Sequence, residues 1–252
     1  KELQFLSRRH TAQEAIDAVK RCQQHGINNI SIDLIYGLPD QTIAVWQRNL
    51  EQALALDIQH ISSYHLIYEE RTRMHRLLQA GRITPVQEET STRMFAMLID
   101  RLTAAGFIHY EISAFGKEGL FSRHNSSYWK DVAYIGLGPS AHSYDGESRS
   151  WNVRSIVRYN KGAESGHFER EMELLSREER YNEFILTGLR TMWGIDLQEL
   201  EKRFGKVFLD HCMRNVEPYL KRELVRLESY SLILTREGIF ISDGIMSDLM
   251  WV

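Results

Sequence analysis

Apolar positions in the first half of this chain recur with two periods, one helical and one extended, and the two alternate. Over residues 11–25, Ala15, Ile16, Val19 and Cys22 fall at helical spacing, opened by a Thr11-x-x-Glu14 capping box and stopped by Gly26. Residues 29–36 form a short β-branched, apolar run ended by Gly37-Leu-Pro39, which predicts a buried strand. A helix is expected over 42–55, with Val45, Trp46, Leu50, Ala53 and Leu54 as its apolar stripe, and a second strand over 60–67. Thr84-Pro85 reads as an N-cap with proline at the first helical position, opening a helix whose inner face is Val86, Met94, Leu98, Leu102 and Ala105. Gly106 ends it, and residues 108–112 are the third strand. Strands alternating with helices predict βαβ units and a parallel sheet, with function at the strands' C-terminal ends. Asp33, Tyr36, His65, Glu111 and Ser113 fall near those ends.

The pattern changes after Gly116. Loops and short elements are expected there, then a polar, acidic linker over about 162–173. A second capping box, Ser176-x-x-Glu179, opens a helix through residue 192 that encloses Phe184, Ile185 and Leu189. Helices near 197–204 and 207–227 follow, then two strands, 232–235 and 239–242, joined by Arg236-Glu-Gly238. Helices with a terminal hairpin resemble a winged-helix arrangement. We divide the chain into residues 1–169 and 170–252.

Composition narrows the function classes. A formal net charge of −3 gives no basic excess, which argues against nucleic acid as a partner. No apolar stretch approaches the roughly 20 residues needed to span a bilayer. Two cysteines, Cys22 and Cys212, stand far apart and without pattern, which points to a reducing, cytoplasmic setting. The chain opens on Lys1 rather than Met and runs directly into a helical pattern, which suggests an N-terminal truncation.

Candidate chemistry concentrates in His124-Asn125-Ser126-Ser127-Tyr128-Trp129 and Tyr134-Ile-Gly-Leu-Gly-Pro-Ser-Ala-His-Ser143, a stretch too irregular to read as core. Asn125 can orient a ring nitrogen of His124, Tyr128 and Trp129 offer flat faces for a macrocycle, and Arg123 and Lys130 can pair with its propionates. His124 is then a candidate ligand to such a group. The same residues would equally serve as a conformational lock, a loop pinned by aromatic packing. Gly136-Leu-Gly-Pro-Ser140 reads either as a tight turn or as a set of backbone N–H groups open to an anion. Asp33, between apolar neighbours, needs a ligand hydroxyl or a cation such as Arg8.

Ile32-Asp-Leu-Ile-Tyr-Gly-Leu-Pro-x-Gln-Thr42 resembles radical S-adenosylmethionine (SAM) proteins of the oxygen-independent coproporphyrinogen III oxidase type. The resemblance continues through His60-Ile-Ser-Ser-Tyr-His-Leu, Tyr110-Glu-Ile-Ser113, Ser122-x-His-Asn-x-x-Tyr-Trp129, Tyr134-Ile-Gly-x-Gly-Pro-x-Ala-His-Ser143, Gly188-Leu-Arg and Gly194-Ile-Asp-Leu, so it covers essentially the whole chain. The His-Asn-x-x-Tyr-Trp motif is similar to the HemW branch, the haem chaperones; oxidases of the group usually lack it. The resemblance implies an α/β fold, part of a (β/α)₆ barrel followed by a mostly helical C-terminal domain. It also implies SAM, a 4Fe-4S cluster, haem or porphyrin as ligand and haem-acceptor proteins as partners. Arg8 and Asp33 match SAM contacts, and His124, Asn125, Tyr128 and Trp129 match the haem motif, with His124 the candidate ligand to the haem iron. The rival activity in the group is SAM-radical oxidative decarboxylation of coproporphyrinogen III.

Departures from the family pattern are Ala114 for Asn, Ser140 for Gly and Asp40 for Gly, of which Ser140 burdens a turn that needs positive φ. The larger departure is the absence of Cys-x-x-x-Cys-x-x-Cys, without which this chain is expected to be inactive in radical chemistry. A barrel lacking its first strands also exposes the strand at 29–36, and this edge is expected to support self-association.

Overall fold

The structure, a computed structural model, describes residues 2–252. Two compact units make up the chain, one running to Ser122 and the other Arg123–Val252.

The first unit contains, in chain order, α1 (Glu2–Phe5), α2 (Ala12–Gln24), β1 (Ser31–Tyr36), α3 (Ile43–Leu54), β2 (His60–His65), α4 (Arg73–Gln79), α5 (Glu88–Ala104), β3 (Ile108–Glu111) and β4 (Ala114–Gly116). The capping box forms as expected: Thr11 Oγ1 accepts from the Glu14 N–H at 3.2 Å, and the Glu14 carboxylate accepts from the Thr11 N–H at 2.7 Å. β1 and β2 run parallel, but the sheet order is β1-β2-β4-β3. The parallel sheet expected from sequence is therefore mixed. β3 turns back through Ser113, whose N–H is accepted by the Glu111 carboxylate at 3.1 Å, and β4 slots antiparallel between β2 and β3. β4 is only three residues long, all buried, which is too short to leave a periodic signature.

Two further expectations are corrected here. β1 is not a buried strand. It lies at the sheet edge, paired on one side only, so Ser31 and Asp33 are exposed while Tyr36 is buried. α5 begins at Glu88, after Gln87 in extended conformation, and no side chain caps it. The Thr84-Pro85 pair thus lies outside the helix, although Met94, Leu98 and Leu102 do form its inner face. The core of the unit is Trp46, Leu50, Met94, Leu98, Leu102, Tyr110 and Phe115, each without solvent contact. Trp46 donates its Nε1–H to the Met94 carbonyl at 2.9 Å, so its one polar atom is satisfied inside the core.

The second unit contains α6 (Arg123–Trp129), β5 (His142–Tyr144), β6 (Ser148–Asn152), α7 (Ile156–Ser165), β7 (Arg170–Leu174), α8 (Arg177–Leu189), β8 (Ile195–Asp196), α9 (Leu197–Phe204), α10 (Lys206–Lys221), β9 (Val225–Glu228), β10 (Ser231–Leu234), α11 (Arg236–Ile239) and α12 (Ser242–Leu249). β5, β6 and β7 form one antiparallel sheet and β8, β10 and β9 another. Where loops and short elements were expected, the His124–Trp129 motif lies on a seven-residue helix, α6. The acidic linker is α7 followed by β7, whose Arg-Glu-Met-Glu-Leu pairs with β6 over all five residues. Its glutamates disguise an alternating strand as a polar spacer.

The hairpin near the C-terminus also lies one strand earlier than expected. Ser229 and Tyr230 both take positive φ, 46° and 71°, the backbone of a two-residue hairpin turn, without the Asn-Gly pair that usually marks one. Residues 239–242 are instead the end of α11 and the start of α12. Gly238 permits a close backbone approach there: a Cβ at that position would lie 1.9 Å from the Leu224 carbonyl oxygen. Tyr181, Ile185, Leu189, Leu200, Cys212, Val216, Leu232 and Ile245 form the buried interior of this unit. Among the described residues no helix is long and apolar enough to cross a membrane.

Candidate functional site

α6 has two faces set by helical spacing. Ser126 and Trp129, three residues apart, turn inward, while His124 and Tyr128, four apart, are exposed together. The inner face is anchored by Arg190, whose guanidinium lies 4.8 Å from the centre of the Trp129 ring. Trp129 Nε1 and Ser126 Oγ are buried without hydrogen-bond partners. Of the two rings that sequence offered for stacking, Trp129 therefore has one face covered by a cation and Tyr128 stays open.

On the outer face the His124 and Tyr128 rings meet edge-on, with centroids 5.0 Å apart at 89°. The Tyr128 hydroxyl reaches His124 Nε2 at 3.3 Å, so Tyr128, one turn on, is the group that meets this ring nitrogen. Tyr128 in turn sits edge-on to Tyr134 at 4.9 Å. Tyr134 is fixed from below, exchanging backbone hydrogen bonds with Tyr144 at 2.8 and 2.9 Å. Burial raises the Tyr144 phenol well above its ordinary range, and the Asp131 carboxylate beside it adds to that shift, so the phenol stays protonated. Asp131 is paired with Arg203, and Arg149 with Glu183 at 2.7 Å, all four half-buried. Tyr134, Tyr144, Asp131, Arg203 and Arg190 thus support the site, and sequence reasoning assigned none of them a role. Tyr134 and the arginine of Gly188-Leu-Arg stood inside the quoted motifs, but only contact geometry shows what they hold.

The remaining candidates resolve individually. Lys130 places its ammonium 4.9 Å from the Trp193 ring centre. Val132, Ile135 and Leu137 leave an apolar surface on the segment after α6, Leu137 being 84% exposed. The glycine turn is not an anion cradle. The Gly136 N–H donates to Ser143 Oγ at 3.0 Å, the Gly138 N–H to the Tyr159 hydroxyl at 2.9 Å and the Ser140 N–H to the Val153 carbonyl. Asn152 closes the turn by donating to the Gly136 and Gly138 carbonyls. Ser140 takes φ 60°, the strained position expected of it, and Asp40 takes φ 62°. His142 packs on Trp151 at 5.7 Å.

In the first unit Arg8 and Asp33 are both exposed and form no ion pair with each other. Gly37 has no room for a side chain, since a Cβ would fall 2.5 Å from His65 Nε2. Gln41, buried, closes this loop: its Oε1 accepts from the Gly37 N–H at 2.9 Å and its Nε2 donates to Glu2 at 3.0 Å. His60 links Ser31 Oγ and the Tyr110 hydroxyl, each at 2.7 Å. Burial lowers its pKa, with Asp33 opposing weakly, so it is held neutral.

Comparison with known proteins gives the geometry its context. Residues 175–241 match the model of the HemN C-terminal domain. The chain is 31% identical to "Heme chaperone HemW" of Bacillus subtilis over 96% of its length and 64% of that protein's. It is 30% identical to "Radical S-adenosyl methionine domain-containing protein 1, mitochondrial" of Bos taurus, over 99% of this chain and 59% of the relative. The chain thus spans about three fifths of the length of these relatives. The fold matches a solved structure described as "Coproporphyrinogen III oxidase (HemN) from Escherichia coli is a Radical SAM enzyme", with a TM-score of 0.76 at 18% identity over 98% of this chain and 61% of that one. Sequence along nearly the whole chain and fold agree, and both liken the chain to the HemN/HemW-type radical SAM proteins.

Proposed function

We propose that this chain carries the haem-holding part of a haem chaperone of the HemW kind, which binds haem at the outer face of α6 and passes it to acceptor proteins. The observation that carries the reading is the division of α6 into an anchored inner face and an exposed His124–Tyr128 pair. Nδ1 of His124 makes no hydrogen bond among the described residues and is the nitrogen left to meet iron. The Tyr128 hydroxyl fixes the other nitrogen, and its ring supplies apolar area beside the macrocycle. Arg123, exposed, is placed in sequence to meet a propionate. Trp129, under the Arg190 guanidinium, anchors the helix rather than the ligand, and Asn125 remains a candidate ligand contact beside His124. The match over 175–241 supports reading residues 170–252 as the C-terminal domain of this group.

Proteins of this group generally use SAM and a 4Fe-4S cluster. The residues present do not fit the cluster. The sequence has two cysteines, Cys22 half-buried and Cys212 buried, and no group of three His, Cys, Asp or Glu side chains converges among the described residues. Arg8 and Asp33, both exposed, remain the chain's candidates for SAM. Two unpaired thiols favour a cytoplasmic setting, and the open edge of β1 favours association of the chain with itself. Light scattering across a wide concentration range tests that association, which a constant monomer would exclude.

The test of the main reading is a haem titration followed at the Soret band beside His124→Ala. A saturable one-to-one band that weakens in the variant supports it. A band indifferent to His124 would sink it. Vinyl-bearing product from coproporphyrinogen, with a reconstituted full-length relative, would instead favour the dehydrogenase.

A further inference from the structure

β7 is an edge strand of the β5-β6-β7 sheet, and all five of its residues are exposed. The bonds flanking its ladder, the Val153 N–H to the Glu169 carbonyl and the Leu175 N–H to the Glu147 carbonyl, fix its phase. In an antiparallel ladder the bonded pairs recur every second residue, so Glu171 and Glu173 bond inward to β6. The backbone N–H and C=O groups of Arg170, Met172 and Leu174 then point outward, along an open edge. The side chains divide with the same period. Phe168, Arg170, Met172 and Leu174 share one face, the Arg170 guanidinium lying over the Phe168 ring and Met172 and Leu174 being 73% and 76% exposed, while Glu169, Glu171 and Glu173 share the other.

We propose that β7 is a docking edge for an extended segment of a partner protein in which apolar residues alternate with lysine or arginine. Strand addition satisfies the outward backbone groups, apolar positions cover Met172 and Leu174, and basic positions meet Glu171 and Glu173. A second copy of this chain is the wrong occupant. Any self-pairing that keeps the two faces matched sets glutamate against glutamate, because each odd position from 169 to 173 is Glu. The same acidic row blunts the edge against its own kind while leaving it open to a basic strand. The inference is independent of haem binding at α6.

The experiment measures binding of labelled synthetic peptides to the full chain by fluorescence anisotropy. The peptides are Val-Lys-Val-Arg-Val-Lys-Val, the same residues in blocks, and Val-Glu-Val-Glu-Val-Glu-Val. The alternating basic peptide should bind at least about tenfold tighter than the blocked one, and the acidic one not at all. Met172→Pro removes an outward N–H and should abolish binding, whereas Met172→Thr, which keeps it, should not. Glu171→Lys with Glu173→Lys should reverse the preference to the acidic peptide. Equal binding of the alternating and blocked peptides would overturn the proposal, as would self-association that Met172→Pro abolishes.

Discussion

The Gly37–Gln41 loop of the first unit and helix α6 of the second are both dense in motif residues, yet they use them in opposite ways. In the loop every polar group of note points inward. Gln41 is buried, accepts from the Gly37 N–H and donates to Glu2, and His65 fills the space a Gly37 side chain would need. In α6 Ser126 and Trp129 turn inward, and His124 and Tyr128 are left to solvent with Tyr134 packed against Tyr128. A motif whose groups satisfy each other specifies shape. One whose groups remain open on a rigid support is equipped to meet something else.

Substitutions should separate the two regions. Gln41→Leu leaves buried backbone donors unmatched and should cost about 3 kcal/mol of stability in thermal melts, with haem titration at α6 unchanged. Tyr128→Ala should leave the melt within about 0.5 kcal/mol yet weaken haem binding several-fold, and Tyr128→Phe should restore the part due to ring area. Equal stability losses at the two sites would erase the distinction. A smaller effect comes from pH. Because burial lowers the His60 pKa below its ordinary 6.5, folding favours the neutral ring. Its contribution is complete above pH 6.5 and is lost as pH falls below that value toward the folded pKa. Melting temperatures between pH 8 and 5 should show this loss, reduced in His60→Gln. The smallest effect is expected of Trp129→Phe, which deletes a buried donor without a partner and keeps the ring under Arg190. Its stability should change by less than about 0.5 kcal/mol.

Much of this fold is legible in sequence where local chemistry alone decides. Both capping boxes, at Thr11 and Ser176, form as written, and α9 occupies the expected residues 197–204. Legibility fails where a partner strand decides. β4 is three residues long and exists because β2 and β3 leave a gap between them. β7 reads as a spacer until β6 pairs with it, and the 229–230 turn lacks the residues that announce one. At the site, His124 and Tyr128 could be found from their motif. The arginine over Trp129 and the Asp131–Arg203 pair could not, since each joins segments distant along the chain.

The two cysteines give the molecule a pair of clocks. Cys212 is sealed in the interior of the second unit, where burial pushes its thiol up to about 11, so a thiol reagent meets it only when that unit opens. Cys22, half-buried on α2, answers in the first unit. Timing the two alkylations in one sample would show whether the units open together or separately, with no label added to the chain.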